Sequence, residues 1–145
     1  MAPVDRHLSR RHDEGVTATP FDDPQAELAW MFLQGICGDC DLDDIFALVS
    51  DDFSYWSILT REALDADALR QQVEQRRRGL QVTLELTRCI NEGESVVIEA
   101  HGDCVTADGT RYDSPVAFIV DTHDGRIVSV REYTDTRFAG QVLGI

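Results

Sequence analysis

In the stretch VVIEAHGDC, residues 96–104, Glu99, His101 and Asp103 take alternate positions behind an apolar run. In a β-strand this spacing puts all three side chains on one face. On a solvent face they would be ordinary decoration. On a buried face they would be an acid/base set, because burial raises a carboxyl pKa and neighbouring carboxylates raise that of a histidine. Strand register decides between the two, and turn chemistry sets register. Two-residue turns at Glu92-Gly93 and Asp108-Gly109 place Leu84 and then Val116 opposite His101, with Val82 opposite Asp103 and Phe118 opposite Glu99. A three-residue His123-Asp124-Gly125 loop places Val116 opposite Glu132 and Phe118 opposite Val130. One face then gathers Leu80, Val82, Leu84, Leu86, Val97, Val116, Phe118, Val120, Val128 and Val130, with Glu99, His101, Asp103 and Glu132 embedded in it. This is the most apolar surface in the chain, so the four ionisable groups are expected inside. With strands about 4.8 Å apart, His101 and Glu132 would face each other across roughly 10 Å, room for a small ligand. Asp103 is then the expected general base, His101 its partner or the general acid, and Glu132 a second acid or base.

The elements that position these groups are legible from periodicity. Pro24 opens a helical pattern through Leu28, Met31, Phe32 and Ile36, and Asp41 caps a short second helix through Leu42, Ile45, Phe46 and Val49. Phe53–Ile58 (FSYWSI) reads as a short aromatic strand. Residues 65–78 form a third helix, ended by Gly79 with three arginines in its last turn, where the helix dipole favours cations. Leu80, Val82, Leu84 and Leu86 then alternate with polar residues, and three further strands follow turns at residues 91–94, 107–110 and 122–125. The order α-α-β-α-β-β-β-β predicts an α+β domain with a long antiparallel sheet under the helices. Residues 1–22 are expected to form a mobile tail and residues 23–145 a single domain.

Composition narrows the partners. The chain has 145 residues, 43% hydrophobic and 28% charged, enough for one self-supporting core. A net charge of −14 argues against nucleic acid and against anionic membrane surfaces. No apolar run approaches the roughly 18 residues of a membrane span. The opening MAPVDRHLSRRHDEG lacks an apolar signal region, and four cysteines fit a reducing compartment, so a cytoplasmic location is expected. Cys37-Gly-Asp-Cys40 has metal or redox spacing, but it stands at a helix end without a second pair, which favours structural cysteines. Neither a metal nor a cofactor is expected.

The element order, with the stretches TADGTRYDSPVAFIVDTHDGRIVSVREYTDT and DLDDIFALVSDDFSYWS, resembles the SnoaL-like and ketosteroid-isomerase-like superfamily over roughly residues 25–140. The resemblance implies a cone-shaped α+β barrel with a deep apolar cavity, covered by the three N-terminal helices. It implies chemistry on a small hydrophobic molecule of polyketide, terpene or steroid type, or a non-catalytic binding module on the same fold. The nearest active-site pattern is that of limonene epoxide hydrolase, whose motifs fall on His101-Gly102-Asp103, Val130-Arg131-Glu132 and Tyr55-Trp56-Ser57. Asp103 and Tyr55 are retained, Glu132 is conservative, and His101 and Ser57 depart. Tyr55 is expected to donate a hydrogen bond to a substrate oxygen. Val116, Phe118 and Ser57 are expected on the cavity wall, and Trp30 and Trp56 either line the cavity or fill the core.

The same registers gather Val96, Ile98, Ala100, Ala117, Ile119 and Ile127 on the other face. Such a patch predicts a homodimer, or a cover formed by the C-terminal segment through Phe138, Val142 and Leu143.

Overall fold

A computed structural model describes residues 21–143, so the expected tail lies outside the described residues except for its last two positions. Helix α1 (Pro24–Cys37) begins where the sequence demands. Asp23 accepts hydrogen bonds from the backbone N–H of Gln25 and Ala26 at 2.8 and 3.0 Å, and proline fills the first turn, where no donor is needed. Its Ala29, Phe32, Leu33 and Ile36 are buried at helical spacing. Phe32 meets Phe46 and Phe53 edge-on at 5.9 and 5.6 Å. Helix α2 (Leu42–Phe46) is capped by Asp41 as expected, and α3 (Ala66–Arg76) by Asp65.

The sheet has six strands in the order β2-β1-β6-β5-β4-β3. They are β1 (Val49–Ser57), β2 (Glu62–Leu64), β3 (Leu80–Glu92), β4 (Ser95–Thr106), β5 (Arg111–His123) and β6 (Arg126–Thr134). β1 runs parallel to β6, and the other neighbours are antiparallel. The sheet is open, with β2 and β3 at its edges, and the helices close over its concave face. Two elements go beyond the expected order: the short β2, and a C-terminal helix α4 (Thr136–Leu143) whose first turn Asp135 caps.

Register is where the structure corrects the sequence reading. The first turn is Gly93-Glu94, one residue later than expected, and a bulge between Leu86 and Arg88 shifts β3 by one residue against β4. The result sets Leu84 against Gly102, Glu85 against His101 and Thr83 against Asp103. The second turn holds three residues, 107–109, because Asp108 accepts from the Thr106 hydroxyl and the Thr110 N–H and so widens it. His101 thereby pairs with Pro115, and Gly102 with Ser114. A one-residue slip moves every side chain to the other face. Val96, Ile98 and Ala100 are therefore core residues, 0%, 0% and 1% exposed, and Ile127 is fully buried too. Glu99, His101 and Asp103 lie on the outer, convex face. The apolar outer patch behind the homodimer expectation does not exist as drawn. Of its members, Ala117 and Ile119 remain outside.

The last hairpin turns through Asp124-Gly125, both at positive φ, and a bulge between Asp121 and Thr122 restores the expected parity. Phe118 now faces Glu132, Val116 faces Thr134, and Val120 faces Val130. Glu132 alone of the four ionisable residues keeps its place on the inner face.

Candidate active site

Between the concave face and the helices lies a cavity of about 500 Å³. Its apolar wall comes from Leu80, Val82 and Leu84 of β3, Val116 and Phe118 of β5, and Ile36 of α1. Alternation on each strand delivers these side chains inward, and Gly102 opposite Leu84 contributes no bulk. Into this wall β6 projects Glu132. Parallel pairing with β1 sets Tyr55 beside it, and the Tyr55 hydroxyl donates to Glu132 Oε1 at 2.6 Å. Desolvation raises the Glu132 pKa above the ordinary carboxyl range, while the Tyr55 bond and the Arg76 charge pull it back in part. Burial, with Glu132 as neighbour, pushes the Tyr55 phenol well up.

Arg76 reaches the cavity from the last turn of α3. Its guanidinium donates to the Ile36 carbonyl, and Arg77 donates to the Gly35 carbonyl at 2.9 Å. Two of the three arginines thus cap the C-terminal carbonyls of α1, a neighbouring helix, as well as complementing their own. The Nε–H of each is buried with no acceptor among the described residues. Arg76 is the one of the two that borders the cavity.

Cys37, Cys104 and Tyr112 complete the ionisable lining. Burial pushes the Cys37 thiol up to about 11 and raises Cys104, and burial together with a bond to Cys104 raises Tyr112. Ser57, Ser114 and Thr134 add hydroxyls, and the last two share a hydrogen bond of 3.1 Å. Among the described residues, no group of three or more His, Cys, Asp or Glu could hold a metal ion, and no helix is long and apolar enough to cross a membrane.

Of the residues expected from the sequence, Tyr55, Ser57, Val116, Phe118 and Glu132 come together around this cavity. His101 and Asp103 do not. On the outer face His101 Nε2 lies 3.1 Å from Asp113, and Asp103 lies 3.0 Å from Arg111, both pairs exposed. Trp56 is on the outer face as well, its ring tilted against Tyr133 at 5.3 Å and covered by the Arg131 guanidinium 4.4 Å away. Trp30 is a core residue, 6% exposed. The sequence reading missed Arg76, Cys37, Cys104 and Tyr112. The signal for Arg76 was present in the run of arginines closing an amphipathic helix; the other three needed the correct register or packing.

Fold and site together define a class: an open-sheeted α+β cone whose apolar cavity holds one desolvated carboxyl. The chain belongs to the SnoaL-like domain family, whose model matches residues 32–130. No curated protein matches the sequence. Solved structures repeat the fold. An NTF2-like protein of unknown function from Burkholderia pseudomallei is 12% identical over 85% of this chain and 99% of its own, with a TM-score of 0.75. A protein of ketosteroid-isomerase-like fold from Catenulispora acidiphila, solved with trimethylamine, is 17% identical over 74% of this chain and 84% of its own, at 0.66. A candidate polyketide cyclase from Xanthomonas campestris is 18% identical over 79% of this chain and 95% of its own, at 0.65. At such identities the likeness is one of fold.

Proposed function

We propose that this protein is a cofactor-independent acid/base enzyme acting on a small hydrophobic molecule, with Glu132 as the proton-transferring group. The observation that carries the reading is the Glu132–Tyr55 pair inside an otherwise apolar cavity. A carboxyl whose pKa is lifted toward neutrality takes and returns protons near pH 7 better than an ordinary one. Tyr55 holds Oε1 and fixes the carboxyl plane, which leaves Oε2 for the substrate proton. As base, Glu132 removes a proton from an acidic C–H or O–H; as the resulting acid, it returns that proton at a second position. Cyclisation, dehydration and isomerisation of polyketide-, terpene- or steroid-like molecules all need this step, and the candidate polyketide cyclase among the similar folds supports the class. Epoxide opening by the limonene epoxide hydrolase arrangement would need Asp103 in the cavity, so it is the less favoured chemistry.

The test uses 5-nitrobenzisoxazole, a small apolar probe opened by any well-placed desolvated base. The wild type should open it with a rate that falls as pH drops through the raised Glu132 pKa. Glu132→Gln should lose about a hundredfold or more. Equal rates in the two proteins would overturn the proposal. A wild type that binds the probe without turning it over would be a ligand-binding module instead.

A further inference from the structure

The cavity holds few groups that can carry a charge. At neutral pH its thiols and phenols are uncharged: Cys37 of α1, Tyr55 of β1, Cys104 of β4 and Tyr112 of β5 are all pushed upward. Among the described lining residues that leaves one cation, Arg76 of α3, and one acid, Glu132 of β6. Desolvation works against the charged form of that acid, so it offsets the Arg76 charge only in part. Arginine stays charged at any accessible pH. Part of its guanidinium is committed to the Ile36 carbonyl, but the buried Nε–H meets no acceptor among the described residues. A guanidinium in an apolar wall is costly unless a ligand of opposite charge meets it, and of Arg76 and Arg77 it is Arg76 that borders the cavity.

We infer that the cavity is built for a hydrophobic monoanion, an apolar molecule bearing one carboxylate-type oxygen that seats on Arg76 while its apolar body lies against Leu84, Val116 and Phe118. This deepens the acid/base reading by naming the charge of the substrate, and it rests on the same cavity. Arg76 acts as a binding and positioning residue: it fixes one end of the molecule and so decides which atom reaches Glu132.

Two probes of one shape separate the charge from the shape: 1-naphthoate, an anion, and 1-naphthamide, its neutral counterpart. Titration calorimetry of the wild type near pH 7 should give about tenfold tighter binding of the naphthoate, as expected of a charge-assisted hydrogen bond in a dry site. In Arg76→Gln the preference should collapse to about twofold or less, while the naphthamide affinity, which reports an intact cavity, stays within about twofold of the wild type. Equal affinities in the wild type, or tighter binding of the naphthamide, would overturn the inference whether or not the variant folds. So would a variant that binds naphthamide normally and keeps its preference for naphthoate. None of these outcomes depends on turnover, so the loss of 5-nitrobenzisoxazole opening in Glu132→Gln tests the acid/base reading separately.

Discussion

Replacing Tyr55 with phenylalanine removes one oxygen and keeps the ring, so the cavity wall retains its shape. What is lost is the 2.6 Å bond to Glu132 Oε1. A hydrogen bond to a charged group contributes about 1.5–3 kcal/mol, and one between neutral groups about 1 kcal/mol. Tyr55→Phe should therefore cost about 1.5–3 kcal/mol where Glu132 is ionised and about 1 kcal/mol where it is protonated. The difference must appear as a change in proton affinity. The Tyr55 bond holds the carboxyl down against desolvation, so its loss lifts Glu132 further. The sign follows from linkage. A carboxyl whose folded pKa exceeds its unfolded value destabilises the fold when ionised, and the cost is relieved as pH falls through the folded pKa. The stability gap between variant and wild type should be widest above the Glu132 pKa of the variant and should narrow as pH falls through it. Urea denaturation from about pH 5 to about pH 9, followed by tryptophan fluorescence, measures the gap, and carbon NMR of labelled glutamate locates the titration. A gap independent of pH would refute the account of Glu132 as a desolvated carboxyl held by one phenol.

Asp103→Asn and His101→Gln should leave probe turnover unchanged and cost under about 1 kcal/mol each, because both residues sit in exposed ion pairs outside the cavity. A hundredfold loss in either would return them to the catalytic set. Gly35→Ala should destabilise the fold despite its better helix propensity. The new Cβ would lie 2.2 Å from Ile45 Cδ1, an overpacking worth about 1–3 kcal/mol against a propensity gain of at most about 1 kcal/mol; a raised melting temperature would contradict this. Cys40, which is exposed, should react with iodoacetamide near pH 8 well before Cys37, whose thiol is held near 11, and peptide mapping reads the order.

The helices were legible because their signals are local: Asp23, Asp41 and Asp65 each cap the helix that the sequence placed behind them. The alternation of Leu80 to Leu86 likewise marked the inner face of β3 correctly. Faces of the following strands depended on parity, and parity depended on single residues with no hydrophobic signature. The bulge within β3 and the third residue of the 107–109 turn each invert a face, one on either side of β4. Two inversions leave β5 and the Val130–Glu132 part of β6 as expected and turn β4 over, while Ile127, ahead of the last bulge, also changes face. For that reason Phe118 and Glu132 were read on the right side and His101 and Asp103 on the wrong one. Arg76 was visible as a helix-ending cation, but its reach to another helix and into the cavity is a tertiary fact.

The parallel pairing of β1 with β6 bears on the order in which the molecule is made. β3 to β6 form a meander of hairpins whose partners are close in sequence, whereas Tyr55 and Glu132 are 77 residues apart. Closing that long loop costs about 3 kcal/mol more entropy than closing a tight turn, and it is repaid only after β1 docks. The chain therefore gains most of its sheet before it gains its chemistry: a nascent molecule with the meander formed has the wall of the cavity and the carboxyl, but not the phenol that holds it. Pulse-labelled hydrogen exchange should find the amides of β4 and β5 protected ahead of those of β1, and simultaneous protection would show that site and sheet form as one.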